Sequence, residues 1–435
     1  MYRDITSKLM DWKSNQDRKP LIITGVRQCG KTYSMKEFGN KFYDDVAYFN
    51  FEEDNIARYF EDDLKVSRIV NSLGIYRRRR IDGRTLLIFD EIQNCPRAIS
   101  SLKYFCEDGH YNVMCAGSLL GVKLMESSPP IGKVDEIVMY PMSFREFLLA
   151  SGEEMLVDGL EKEDPFGQTI SDFEGRLSDL YMEYLAIGGL PEVVKTWVET
   201  HDCDKVDSLL KRMRAYYIND IARYGTGKVR ENGELVWNSI PSQLSRDNSK
   251  FVLGHVKDGL RARDLWSSVD WLTRAGLVHS VPISTGDCDV PSFTSDPSAF
   301  KLYCFDTGML RILAGVSIQY VLGYGDMNGL YRGAVTENYV LLELRKLSDD
   351  GIFCWRSGNR AEVDFLVRVD GHYVPIEVKS GKSIVARSLG VYMDSHEGRG
   401  VVVSMNLPKS KGRVVHIPLY ALWILDRFLE CSGEP

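Results

Sequence analysis

The chain has 435 residues, of which 44% are hydrophobic and 26% charged, with a formal net charge of −7. That length exceeds what a single hydrophobic core serves, so two or three domains are expected, and the composition is that of an ordinary globular protein. The acidic balance excludes a protein that coats nucleic acid through a global positive field, although a local basic patch is compatible with it. No run of about 18 apolar residues suits a membrane span, and Met1 to Lys13 lacks a secretory apolar segment, so a cytoplasmic protein without a membrane partner is expected. The cysteines are singletons with no C-x-x-C pair, which argues for reduced thiols rather than disulfides or a zinc site.

From Leu21 to about Leu149, short apolar runs (LIITG, VAYFNF, LLIFDE, NVMCAGS, EIVMYP) alternate with helix-like stretches. This alternation predicts an α/β domain with a doubly wound, mainly parallel sheet over 1–165. The run Arg77 to Arg80 reads as the solvated end of a helix, where positive charge suits the dipole. The acidic stretch Gly152 to Asp164 reads as a loop at the boundary. From Asp172 to Val281 the pattern is helical, with Gly188, Gly189 and Pro191 as a helix stop. Ser239 to Val281 has the helix, helix, strand rhythm of a winged helix, so 166–325 is expected to be a helical and winged-helix region. Alternation returns in IFCWRS, EVDFLVRV, YVPIEVKS and GVVVSM, which predict a small mixed sheet in a third domain, 326–435. Trp266, Trp271 and Trp355 are expected to pack cores.

The chemistry concentrates early. Gly25-Val26-Arg27-Gln28-Cys29-Gly30-Lys31-Thr32 matches G-x-x-x-x-G-K-[ST] and directly follows the strand Leu21-Ile22-Ile23. Glycines there let a tight loop aim consecutive N–H groups at phosphate oxygens above a helix N-terminus. Lys31 is expected on the β- and γ-phosphates and Thr32 on Mg2+. A second strand, Leu86 to Phe89, delivers Asp90 for the metal ion and Glu91 to orient or deprotonate the attacking water. A third, Asn112 to Ala116, leads to Ser118, a candidate sensor of the γ-phosphate. No N-K-x-D guanine-reading motif is visible. The histidines show no ligand spacing.

The runs GVRQCGKT, LIFDEIQ, YPMSFREFL, GGLPEVV, KLYCFDTGML, TENYVLLEL, EVDFLV and PIEVKSG together resemble bacterial and archaeal AAA-type ATPases. Members of that family carry a C-terminal domain of unknown function similar to restriction-endonuclease-like folds. The resemblance covers nearly the whole chain. It implies ATP as the nucleotide, an AAA core, a helical and winged-helix middle and a nuclease-like tail. Many members have a Gly-Arg pair where this chain has Gly132-Lys133, and lysine cannot supply the bidentate fork of an arginine finger. Arg212, Arg214 and Arg223 are other candidates for that role.

Within the tail, Asp364, Glu377 and Lys379, with Glu337 on the preceding helix, look like a metal-dependent nuclease signature, although Val363 stands where a proline is usual. Asp364 and Glu377 would hold a metal ion, Glu337 would complete its shell and Lys379 would position water or stabilise developing charge. A plain ion pair between Glu377 and Lys379 on one strand face is the bland reading. The expected function is an ATPase coupled to a module that acts on or binds DNA or RNA. The alternative is a nucleotide-gated regulator that binds nucleic acid, a partner protein or a second copy without cleavage.

Overall fold

The computed structural model describes residues 1–117, 132–246, 250–257, 259–260, 262–285, 290–323, 329–348, 351–358, 361–381 and 385–433. They form two compact units, Tyr2–Pro141 with Arg274–Gly276, and Met142–Thr273 with Leu277–Pro435. Ser118 lies outside the described residues.

Five strands build the first unit: β1 (Leu21–Thr24), β2 (Asp45–Asn50), β3 (Thr85–Asp90), β4 (Asn112–Ala116) and β5 (Asp135–Val138). All neighbouring pairs are parallel, in the order β2-β3-β4-β1-β5. Every residue of β1, β3 and β4 is buried. Their unbroken apolar runs are those of strands covered on both faces. Phe60 and Phe105 pack edge-on against Phe89, with ring centroids 5.9 and 6.0 Å away. The helix Val66–Arg77 stops at Arg78, which takes a left-handed conformation, and Arg77 and Arg79 pair with Asp45 at 2.7 and 2.9 Å. The basic run is therefore a helix end tied to β2.

The second unit begins with helices. The acidic stretch expected to be a loop contains a helix, Glu154–Lys162, because Leu156, Val157 and Leu160 fall on one face and are buried. Further along, Glu174–Ile187, Pro191–Thr200, Cys203–Tyr224 and Lys228–Leu244 form the helical region. Trp271 and Trp355 are buried, but Trp266 is 43% exposed and meets Phe300 edge-on.

An eight-stranded sheet follows: β6 (Val278–Thr285), β7 (Ser295–Cys304), β8 (Phe353–Ser357), β9 (Ala361–Val369), β10 (His372–Val378), β11 (Gly400–Ser404), β12 (Lys409–Lys411) and β13 (Val414–Pro418). Its order is β12-β13-β11-β10-β9-β8-β6-β7. β8, β9 and β10 form an antiparallel meander, and β10 then pairs in parallel with β11 across the helix Arg387–Ser395. β6 joins β8 in parallel, Ile283 opposite Cys354, so one sheet runs across the position expected to separate the middle and last domains.

The GGLP and FDTG motifs form a junction. Asp306 caps the helix Thr307–Leu313 by accepting the Met309 N–H at 2.8 Å and also accepts the Gly189 N–H at 2.6 Å. A Cβ on Gly308 would lie 2.2 Å from the Ile187 carbonyl oxygen, so backbone meets backbone there. Burial pushes the Asp306 carboxyl up to about 6, against those two N–H bonds, which favour its charged form. The folded chain thus holds this proton more tightly than the unfolded chain. The contribution to stability is complete below the unfolded value of 3.8 and is lost as pH rises through about 6. Its full span is about 3 kcal/mol. Asp306→Asn is expected to flatten this part of the stability profile, checked by comparing urea midpoints of the two chains across that window.

Candidate active site

β1 ends at Thr24 and the chain turns back sharply. Gly25 has φ 136°, and a Cβ there would lie 2.1 Å from the Met139 carbonyl oxygen, so only glycine fits. Gln28 and Gly30 also take positive φ, 65° and 99°, and the helix Lys31–Phe42 starts at once. Lys31 is buried and curls over its own loop, its Nζ donating to the carbonyls of Gly25 at 2.7 Å and Val26 at 2.8 Å. Arg3 braces the loop from outside by donating to the carbonyls of Cys29 at 2.6 Å and Tyr140 at 2.7 Å. The Cys29 thiol is buried.

β3 brings Asp90 to the same place. Thr32 Oγ1 donates to Asp90 Oδ2 at 2.6 Å, and the Tyr48 hydroxyl donates to the same oxygen at 3.0 Å. Burial, then the charge of Asp90, raise the Tyr48 hydroxyl well above its ordinary range, so it stays a donor. The Lys36 ammonium sits 3.3 Å from the centre of the Tyr48 ring. Glu91 follows in a left-handed conformation, φ 50°, and its carboxylate accepts a hydrogen bond from Gln93 Nε2. Its own N–H donates to Asp90 Oδ1 at 3.1 Å. A hydroxyl and a carboxylate converging at the foot of the loop are hard oxygen donors of the kind Mg2+ takes, so the residues fit that ion. β4 lies between β1 and β3, where a γ-phosphate sensor is expected.

The structure brings Gly25 through Thr32, Asp90 and Glu91 together. Tyr48, Lys36, Gln93 and Arg3 were not anticipated. Tyr48 stands on β2 directly opposite Ile88 of β3, two residues before Asp90. Lys133 pairs with Glu107 at 3.4 Å. Arg212 and Arg214 are engaged with Glu192 and Glu234, at 3.3 and 3.9 Å, and Arg223 lies over the Tyr224 ring.

A second cluster lies in the eight-stranded sheet. Glu337 comes from the helix Gly329–Leu347, Glu362 and Asp364 from β9, and Glu377 from β10 with Lys379 just beyond it. The group that organises them is Lys301 on β7, only 1% exposed, whose Nζ lies 2.8 Å from Glu337 Oε1, 2.8 Å from Glu362 Oε1 and 3.8 Å from Asp364 Oδ1. The Tyr303 hydroxyl donates to Glu337 Oε1 at 2.6 Å, and Arg356 Nε donates to Glu362 Oε2 at 2.9 Å. Asp364 Oδ2 accepts the Val378 N–H at 2.8 Å, and Lys379 Nζ donates to Glu377 Oε1 at 2.7 Å. Burial and the Glu337 charge push the Asp364 carboxyl well up, and burial raises Glu377 against the pull of Lys379. Burial also acts on Glu362, but Lys301 and Arg356 hold it below its ordinary value.

Glu337, Asp364, Glu377 and Lys379 thus lie in one cluster with Lys301, a lysine that was not anticipated. A metal ion on Asp364 and Glu377 does not fit this arrangement. Among the described residues no group of three His, Cys, Asp or Glu side chains is placed to hold one, and the cation between the carboxylates is Lys301.

A loop of this geometry, an acidic pair at the end of β3 and a strand between them define a P-loop nucleotide-binding domain. Residues 17–148, most of them in the first unit, match the family model of an AAA domain. Residues 178–320 and 332–421 match two domains of unknown function, DUF8612 and DUF4143. An uncharacterized protein of Methanocaldococcus jannaschii is 24% identical over 377 residues, 84% of this chain and 74% of its own length. Among solved structures, a Walker-type ATPase of Pyrococcus abyssi is 12% identical, with 72% of this chain and 95% of that chain covered and a TM-score of 0.46. The Orc1 protein of Aeropyrum pernix, solved in complex with DNA, is likewise 12% identical, covering 74% and 90%, with a TM-score of 0.28. No described helix is long and apolar enough to cross a membrane.

Proposed function

We propose that the chain hydrolyses ATP with Mg2+ and that its nucleotide state governs a C-terminal module that engages nucleic acid. The 2.6 Å contact between the Thr32 hydroxyl and Asp90 carries the first part, because it brings the two oxygen donors that Mg2+–ATP requires to one point beneath the phosphate loop. Lys31 would exchange its two carbonyl partners for β- and γ-phosphate oxygens. Glu91 would accept the proton of the attacking water.

Two features support nucleic acid as the partner. The helices Lys228–Leu244 and Ala262–Arg274 followed by the β6 and β7 hairpin have the order of a winged helix. The helix Gly329–Leu347, the β8 to β10 meander, the helix Arg387–Ser395 and parallel β11 have the layout of restriction-endonuclease-like folds, with Asp364 and Glu377 on adjacent strands. A second reading, a nucleotide-gated module that binds nucleic acid, a partner protein or a second copy without cutting, is favoured by Lys301 among the carboxylates. Purified protein is expected to release phosphate from Mg2+–ATP, faster with DNA or RNA present, and its affinity for nucleic acid should fall with salt. Folded protein that gives no calorimetric heat with Mg2+ and adenine nucleotides would overturn the reading.

A further inference from the structure

We propose that Lys301 is a built-in counter-ion that takes the place of a divalent cation in the C-terminal sheet, so that this module grips its ligand without metal-dependent cleavage. The consequence for cleavage rests on the nucleic-acid reading above; the role of Lys301 does not.

The oxygens can be followed one at a time. Glu337 Oε1 already accepts from Lys301 at 2.8 Å and from Tyr303 at 2.6 Å. Glu362 gives Oε1 to Lys301 at 2.8 Å and Oε2 to Arg356 at 2.9 Å. Asp364 Oδ2 is held by the Val378 N–H at 2.8 Å, and its Oδ1 faces Lys301 at 3.8 Å. Glu377 Oε1 accepts from Lys379 at 2.7 Å, while Glu377 Oε2 is buried and has no partner. Five of these eight carboxylate oxygens are thus held by protein donors within hydrogen-bond distance, and a divalent ion, which takes its oxygen ligands at about 2.1 Å, would have to share the rest with the Lys301 ammonium.

The lysine is also not easily displaced. It is 1% exposed and stands on β7, where the backbone pairs with Val281 of β6. Admitting a metal ion would require that ammonium to leave its carboxylates and stay buried without them, the costly way to break a buried pair. Among the described residues, Lys301, Arg356 and Lys379 already face Glu337, Glu362, Asp364 and Glu377, so protein cations stand where a divalent ion would otherwise balance the carboxylates.

The test uses the full-length, nucleotide-free chain with Asp90→Asn to silence metal uptake at the phosphate loop, and follows Mn2+ binding by electron paramagnetic resonance. With Lys301 present, no saturable site that depends on Asp364 is expected. Lys301→Met should raise Mn2+ affinity by about a hundredfold, the scale of one buried charge, and adding Asp364→Asn should abolish the gain. The proposal is overturned if the chain with Lys301 intact binds Mn2+ at a site that Asp364→Asn removes. It is equally overturned if folded Lys301→Met, with unchanged circular dichroism, binds Mn2+ no more tightly. Should Lys301→Met fail to fold, labelled DNA and RNA incubated with the unaltered chain and Mn2+ decide. Unchanged lengths support the proposal, and cutting that Asp364→Asn stops overturns it. Phosphate release from ATP, measured alongside on the unaltered chain, shows separately whether the ATPase reading has failed.

Discussion

Glu91→Gln is expected to bind ATP as tightly as the unaltered chain and to hydrolyse it about a hundredfold to ten-thousandfold more slowly. Glu91 sits at the mouth of β3 in a left-handed conformation, where its carboxylate accepts from Gln93 Nε2 and its N–H donates to Asp90 Oδ1. A glutamine there keeps a carbonyl oxygen for Gln93, the same length and the same backbone demand. It loses only the capacity to take a proton from water. Lys31→Ala should behave in the opposite way, losing binding itself, because the ammonium that now donates to the Gly25 and Val26 carbonyls is the cation expected to hold the β- and γ-phosphates. Calorimetry for affinity and phosphate release for turnover separate the two variants. Turnover surviving intact in Glu91→Gln would remove Glu91 from the chemistry.

The division between what the sequence reveals and what it hides follows the range of the contacts. The phosphate loop is legible because it is contiguous: Gly25 to Thr32 is a conformational requirement written in eight consecutive residues, and β1 and β3 announce themselves as unbroken apolar runs. Asp364 and Glu377 are legible for a related reason, since a strand pair joined by a short turn fixes their relative position. Lys301 is invisible by the same logic. It stands in KLYCFDTGML among apolar neighbours, and only the parallel pairing of β6 with β8 joins β7 to the sheet that carries Glu362. Spacing carries no trace of that approach. Gln93 and Arg3 are hidden for want of any pattern, their roles resting on side-chain direction alone. The helix within the acidic stretch after Gly152 failed for a different reason: its three apolar residues define a buried face, but the surrounding glutamates and aspartates dominate composition.

The GGLP and FDTG motifs meet in a junction, and the residue that ties it to the helices around it is Arg311. Its side chain is fully buried and reaches three separate segments: Nε donates to the Ala186 carbonyl at 2.7 Å, one terminal nitrogen to the Val316 carbonyl at 2.8 Å, and the other to Asp207 Oδ1 at 2.6 Å. The end of one helix, the turn after another and the first turns of the long helix Cys203–Tyr224 are thereby fixed by one planar group. Arg311→Met preserves the apolar stem but leaves a carboxylate and two carbonyls without their donor, and is expected to destabilise the second unit by about 3–5 kcal/mol. Arg311→Lys keeps the charge and should still lose about half of that, because a single ammonium cannot point in three directions where a guanidinium fork can. Adding Asp207→Asn to Arg311→Met should recover part of the loss, since the Asp207 side chain is 24% exposed and its charge is then no longer stranded. Urea unfolding of the four chains, followed through the tryptophans of this unit, measures the series. If Arg311→Met and Arg311→Lys cost the same, the fork geometry is irrelevant and the junction is held by packing around Gly188, Gly189 and Gly308 instead.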